Sequence, residues 1–423
     1  MRLMPLRGAM SYAHIWGLVL WTCLTGYALA APPAEDAIRV TVDPHLTLHD
    51  VTQRAFERYP RQQVIAPRGE QVDALRRQAG NPLAGPTALI LRHQTDRIGS
   101  QDGLREWEGG IQMPLWLLGQ KQARKAVADQ AGVGLKALEG ALRLEVAGQV
   151  RERLWDVALM ENDLALAEQQ WRAAQALEQD VRKRMAAGEL ARVDLLLAQD
   201  ETLRRQAQYL RAHTELKHAL HRYEMLTGIE ALPAVRNEVP STQTAVADDH
   251  PLLADGQSRV AQAVAETQLA REERRGNPLL TLGTRSERST LRSAGNDSVG
   301  IALTLPLHSA AHAGPRLAAS VVAQSEAQSV RDALKRELDL ALDEAEHALA
   351  LARAEFDLAV EQNRLAQENL RLMKKAFAIG EIDLVALLRV QTLTFAAERA
   401  EQQLGLQLQR DIARYNQAAG EIP

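Results

Sequence analysis

Val299, Ile301, Leu303, Leu305 and Leu307 are apolar, and the residues between them, Ser298, Gly300, Ala302, Thr304 and Pro306, are small, polar or ring-closed. Strict alternation predicts a strand over 298–307 with one oily face and one small or wet face. After Pro306 the period changes. Leucine and alanine recur at helical spacing over 309–379, with Gly314 and Pro315 near the start as the only breakers. At 1.5 Å per residue such a helix is about 105 Å long, whereas ordinary helices have about 11–12 residues. An earlier strand–helix junction lies at Met113-Pro114-Leu115. Over 104–115, Trp107, Ile111, Met113 and Leu115 share one face, and Glu106, Glu108 and Gln112 the other.

In chain order, residues 31–46 read as irregular. Thr47 or Asp50 caps a helix that breaks at Pro60 and Pro67 and stops at Gly80-Asn81-Pro82-Leu83. Strands at 83–92 and 104–115 flank a polar connection, 94–103. A helix follows over 121–187, a turn at Gly188, a helix over 193–227, and a proline-bearing linker at 229–247. The series then restarts. Asp248 or Asp249 caps a helix to Arg275, and Gly276-Asn277-Pro278-Leu279 repeats the earlier stop. Strands at 279–286 and 298–307 lead to the helix over 309–379, a turn at Gly380 and a helix over 383–419. Pro114 and Pro306, Gly188 and Gly380, and Tyr223 and Tyr415 keep one offset of 192 residues. Such ordered self-similarity indicates a duplicated unit, 31–228 and 248–423, joined at 229–247. By length, the helix 193–227 stacked on the helix before the second hairpin would match one long helix.

Composition narrows the picture. The 423 residues carry 50 basic and 54 acidic side chains, so no basic stripe points to nucleic acid. Arg2 and Arg7, the apolar run 15–24 and Ala28-Leu29-Ala30 read as a secretory signal peptide, residues 1–30. The lone cysteine, Cys23, falls inside it, preceded by Thr22 rather than the small residue of a lipid-anchor site, and the mature chain then has no thiol chemistry. No later stretch is apolar enough for a spanning helix, so any membrane passage must be made by strands. Four two-faced strands cannot close a barrel, and an open edge cannot stand in lipid. Three copies would pool twelve strands. The other reading is a lipid-free hairpin packed on a helical stalk.

The two Asn-Pro-Leu stops, the apolar-Pro-Leu strand ends at 113–115 and 305–307, and the turns Ala187-Gly-Glu-Leu190 and Ile379-Gly-Glu-Ile382, each followed by Leu-Leu, form an ordered set. With these, the sequence resembles the TolC-type outer-membrane efflux protein family over nearly the whole mature chain. The resemblance implies a mainly α fold with a membrane β part. It implies a homotrimer whose twelve-strand barrel lies in the outer membrane of a Gram-negative cell and whose helical barrel crosses the periplasm. Trp107, Ile111, Met113, Val299, Ile301, Leu303 and Leu305 would then face lipid. The tips, with Gly188, Glu189, Leu195, Gly380, Glu381 and Leu387, would dock a periplasmic adaptor (membrane fusion) protein tied to an inner-membrane pump, foremost of the RND type. The family often places an aspartate six residues after the tip glycine. Asp194 fits; the second repeat has Ala386 there, Asp383 off register, and Arg389 at a further ring position, so the acidic character of the pore mouth stays open.

No nucleotide, metalloprotease or hydrolase motif is present, and the reading is a passive, cofactor-free, non-enzymatic duct. His213, His218 and His221 on one helix, and His308 and His312, read as packed or hydrogen-bonded rather than metal-ligating. Arg271–Arg275 reads as a solvated face. Type I secretion, a periplasmic coiled-coil adaptor or scaffold, and an exported enzyme are the alternatives. The cargo stays open, with heavy-metal cations, drugs and organic solvents as the classes in view.

Overall fold

The computed structural model describes residues 40–290, 292–307 and 310–423. The expected signal peptide with Cys23 lies outside them, as does His308. In order come β1 (Val42–Asp43), α1 (Leu48–Arg58), a 3₁₀ turn (Pro60–Val64), α2 (Ile65–Gly80), β2 (Ala88–Thr95) and β3 (Arg105–Pro114). Then follow α3 (Gln120–Ala186), α4 (Arg192–Thr227), β4 (Leu232–Pro233), α5 (Pro251–Glu272) with a 3₁₀ turn (Glu273–Arg275), β5 (Leu279–Arg288), β6 (Asn296–Thr304), α6 (Ala310–Ala378) and α7 (Leu384–Ala418).

Local chemistry sets most boundaries. Thr47 caps α1: its hydroxyl accepts from the Asp50 N–H at 3.1 Å, and the Asp50 carboxylate accepts from the Thr47 N–H at 3.0 Å. Pro60 ends that helix region in a 3₁₀ turn, but Pro67 breaks nothing. It falls in the first turn of α2, where an N–H has no intrahelical partner to lose. α5 is capped not by Asp248 or Asp249 but by His250, whose Nδ1 accepts from the Leu252 N–H at 3.3 Å.

α3 and α6, with 67 and 69 residues, are each about 100 Å long and set the length of a helical layer. α2 and α4 pack chiefly on α3, and α4 also meets α1; α5 and α7 fill the space between α3 and α6. α3 is therefore central and carries much of the buried core, including Leu144, Val146, Val150, Leu154 and Val157. The half-helices stack differently from what their lengths suggest. α4 ends against α1, with Gly228 beside Arg58, and α7 ends against the start of α5, with Gly420 beside His250. Length alone does not tell which half-helices share an axis.

The waist is more ordered than its prolines suggest. β1 and β4 pair in parallel, so 229–247 and the described part of 31–46, residues 40–46, are not wholly irregular. Arg151, 3% exposed, gives a two-pronged contact to Glu238 at 2.7 and 2.9 Å, and also reaches the Gln417 side chain and the Glu421 carbonyl. One guanidinium on α3 thus holds the linker and the C-terminal segment together. The repeat-related Tyr223 and Tyr415 hydroxyls both donate to linker carbonyls, of Ala231 and Gln243.

Candidate membrane pore and tip

The larger sheet has the order β2-β3-β5-β6, antiparallel throughout. Its register aligns Leu89, Ile111, Leu282 and Ile301 across all four strands, with Leu91, Gly109, Thr284 and Val299 one rung away. Met113, Leu280 and Leu303 make the next rung on the other side. Side chains opposite one another share a face, so one face is almost wholly apolar, and it is open: Val299 is 83% exposed. The other face is polar. Arg92, Glu108, Arg285 and Ser298 form one rung, and Gln94, Glu106, Glu287 and Asn296 the next. Arg285 pairs with Glu106 at 2.8 Å and Glu287 at 3.3 Å, and Arg92 with Glu108 at 3.9 Å. Between these rungs and the helices, Gly110 and Gly283 meet across the seam of the two hairpins. A Cβ on either would lie within 3 Å of the opposite backbone oxygen. β2 and β6 are bonded on one side only.

Strand ends differ from the sequence expectation at several places, and β5 and β6 reach further toward their turn, to Arg288 and from Asn296. β2 begins at Ala88 rather than 83, because Ala84–Thr87, with Gly85 and Pro86, form a loop pinned by the Ala84 N–H to the Pro114 carbonyl at 3.0 Å. The connection expected at 94–103 shifts to 96–104. β6 covers 296–304, so Leu305 lies just past the strand, exposed, before Pro306, which has no N–H for a ladder. Trp107, Ile111, Met113, Val299, Ile301 and Leu303 lie together on the apolar face.

The sheet is tied directly to the helices. Asn277 donates to the Leu115 carbonyl and to Gln120 Oε1; the Trp116 indole N–H donates to the Asn81 carbonyl. Each Asn-Pro-Leu stop is thus a joint.

At the far end of α3 and α6 are two hairpin tips. Gly188 and Gly380 hold φ of +82° and +79°. After each, the next residue's N–H bonds back to a carbonyl five residues earlier, Glu189 to Arg184 and Glu381 to Ala376. The tips share a core of Val181, Leu370, Phe377, Leu384 and Leu387, flanked by Leu195. Leu387 is 3% exposed, so it packs the tip's interior and is not on its surface. The exposed apolar side chains there include Val193, Leu196, Leu197, Ile379, Val385 and Leu393. Glu189 pairs with Arg184 at 3.1 Å, and Arg184 reaches over the Phe377 ring, joining the two hairpins. Asp194 and Asp383 cap helices. Asp194 accepts from the Ala191 N–H at 3.0 Å, and Asp383 from the Ala386 N–H at 2.8 Å. Position 191 corresponds to 383 and 194 to 386 at the repeat offset, so the single acid has changed places by three residues while serving the same helix end. Arg389 is exposed.

The arrangement has solved counterparts. The outer membrane protein VceC from Vibrio cholerae is 14% identical, with 88% of this chain and 96% of that one covered at a TM-score of 0.70. The Neisseria gonorrhoeae MtrE outer membrane channel, in its open state, is 18% identical, with 88% of each chain covered at 0.68. The Campylobacter jejuni CmeC outer membrane channel is 14% identical, with 92% and 90% covered at 0.67. The chain has the TolC-type outer-membrane channel fold. A scan against protein-family models and a search of curated proteins found no match.

Among the described residues no three His, Cys, Asp or Glu side chains could hold a metal ion, and no helix is long and apolar enough to cross a membrane. His221 lies 3.8 Å from Glu224 on its own helix, and His213 lies near the Tyr209 ring. Of the arginine-rich run, Arg271 and Arg274–Arg275 are at the solvated or half-open end of α5, while Glu273 pairs with Arg124 and Arg316. Sequence reasoning does not find Arg151 or His250. Arg151 acts through long-range partners, while His250 caps its own helix through Leu252, with a histidine directly before Pro251 as the local hint.

Proposed function

We propose that the chain is one protomer of a homotrimeric channel in the outer membrane. It would serve as the passive exit duct of a tripartite efflux complex, with a periplasmic adaptor protein and an inner-membrane pump of the RND type supplying the energy. The observation that carries this is the sheet: four strands, an apolar face open to the surroundings, a charged opposite face, and two unbonded edges, β2 and β6. Closed barrels are the form in which strands cross lipid, and twelve strands from three chains would close one. The helical layer has matching open sides. α6 exposes Val322, Val330, Leu340, Leu351, Leu358 and Leu372, and α4, at the opposite edge, exposes Leu196, Leu203 and Leu210.

The exposed apolar residues of the tip are the surface for the adaptor. Leu196→Lys and Val385→Lys should uncouple efflux with the channel still assembled, whereas Leu387→Lys should damage the tip itself. The reading is tested by deleting the gene, restoring it, and measuring resistance to zinc, cobalt, copper and a drug panel. Heavy-metal cations are the cargo class placed first. Unchanged resistance to every compound would contradict an efflux role, and a selective drug phenotype would replace the metal assignment.

A further inference from the structure

The apolar face of the sheet ends in a change of chemistry. Above Leu91, Thr284 and Val299 comes a rung of His93, Trp107, Ser286 and Asp297, where the His93 and Trp107 rings stack with centroids 4.1 Å apart. One rung further, on the same outward face, Arg105 stands directly opposite Arg288, with Thr95 beside Arg105. Like charges directly opposite on a sheet repel, and both side chains are exposed. Among the described residues neither guanidinium has an ion-pair partner. Of the carboxylates nearby, Glu106 and Glu287 are occupied by Arg285, Glu108 by Arg92, and Asp96 by the Gly103 N–H and Ser100 hydroxyl, while Asp102, in the connecting turn, forms no ion pair with either arginine. Asp297, the acid on this face, sits a rung lower and forms no ion pair with either arginine.

We infer that Arg105 and Arg288 form a binding site for the phosphate-bearing headgroup of an anionic membrane lipid. The inference rests on the channel reading, which puts this face against lipid. From Met113 to Gly109 the apolar rungs cover about 13 Å along the strand, and the Trp107 rung brings the span to about 20 Å. An indole and then paired cations at its border match the sequence of environments from acyl chain through interface to headgroup. Two guanidinium forks on adjacent strands offer planar donors to a phosphate, which cancels their mutual repulsion.

The test uses the full chain in mild detergent, titrated with lipid A carrying both phosphates, with the same lipid lacking them, and with inorganic phosphate, read by native mass spectrometry. The phosphorylated lipid should bind most tightly, and less so at higher salt. Arg105→Gln and Arg288→Gln should each weaken it about fivefold; Arg92→Gln, on the opposite face, should not. In lipid-free detergent Arg105→Gln should melt no lower than the unaltered chain, since it removes a repulsion. Equal binding by all variants, or equal loss in Arg92→Gln, overturns the site. Inorganic phosphate binding as tightly as the lipid overturns the lipid assignment. A chain that never associates with any bilayer instead overturns the channel reading itself.

Discussion

Arg151 shows how much of this fold hangs on single polar side chains. Replacing it by alanine leaves Glu238 with an unpaired charge in a protein interior, an effect worth about 3–5 kcal/mol. The expected result is a marked fall in thermal stability, partly recovered when Glu238→Gln is added. His250 makes a second residue-scale prediction. Burial holds its imidazole below the ordinary value of 6.5, although the Ala418 carbonyl and the Asp249 charge favour the proton. The neutral ring is also what the cap requires, since Nδ1 accepts from Leu252. Stability from this group is complete above about 6.5 and is lost as pH falls below that value, while the unfolded chain protonates and the folded one does not. Melting temperature should therefore drop between pH 7.5 and 5.5, and less so in His250→Asn, which keeps a capping acceptor. Glu152 behaves in the same direction further down the scale. Burial raises its pKa, but the Arg414 and Arg410 contacts outweigh that and hold it low, so their contribution fades only under strong acidification.

At the scale of elements, the tip glycines and caps explain why two hairpins with different sequences end alike. Gly188 and Gly380 are left-handed, and a Cβ on either would have no atom within 4 Å, so alanine there meets only the backbone cost of about 1–2 kcal/mol. Asp194→Ala and Asp383→Ala should each cost about 1 kcal/mol. Because 191 and 383 are equivalent, Ala191→Asp should recover the loss in Asp194→Ala. Recovery of stability would assign the acid to capping; a lasting change in channel opening in the recovered protein would assign it to the pore mouth as well. The long helices, the tips and the alternating strands at 107–113 and 299–303 are legible in the sequence, since each is written in local periodicity or in a glycine with a forced conformation. The late start of β2, the partners of the stacked half-helices and the burial of Leu387 are not. They depend on which surfaces meet, and Leu-Leu pairs that look alike in sequence divide into one inward and one more open residue only after the hairpins pack.

At the scale of the molecule, the single chain leaves several apolar and hydrogen-bonding surfaces uncovered. It presents an apolar sheet face, two strand edges with unmet backbone groups and two helical edges with exposed valines and leucines. Burying an apolar side chain of that size contributes about 1.5–3 kcal/mol, so the loss of such edges to neighbouring copies would be a large part of the assembled protein's stability. Charged substitutions at Leu351 and Leu358 on α6 should accordingly reduce assembly while leaving the helical content of the chain by circular dichroism nearly unchanged. The most direct test of the whole account is the mass of the full chain extracted from outer membranes in mild detergent, by light scattering with the detergent contribution removed. Three copies per particle is the predicted result; a folded single chain, released into the soluble fraction without detergent, would contradict it.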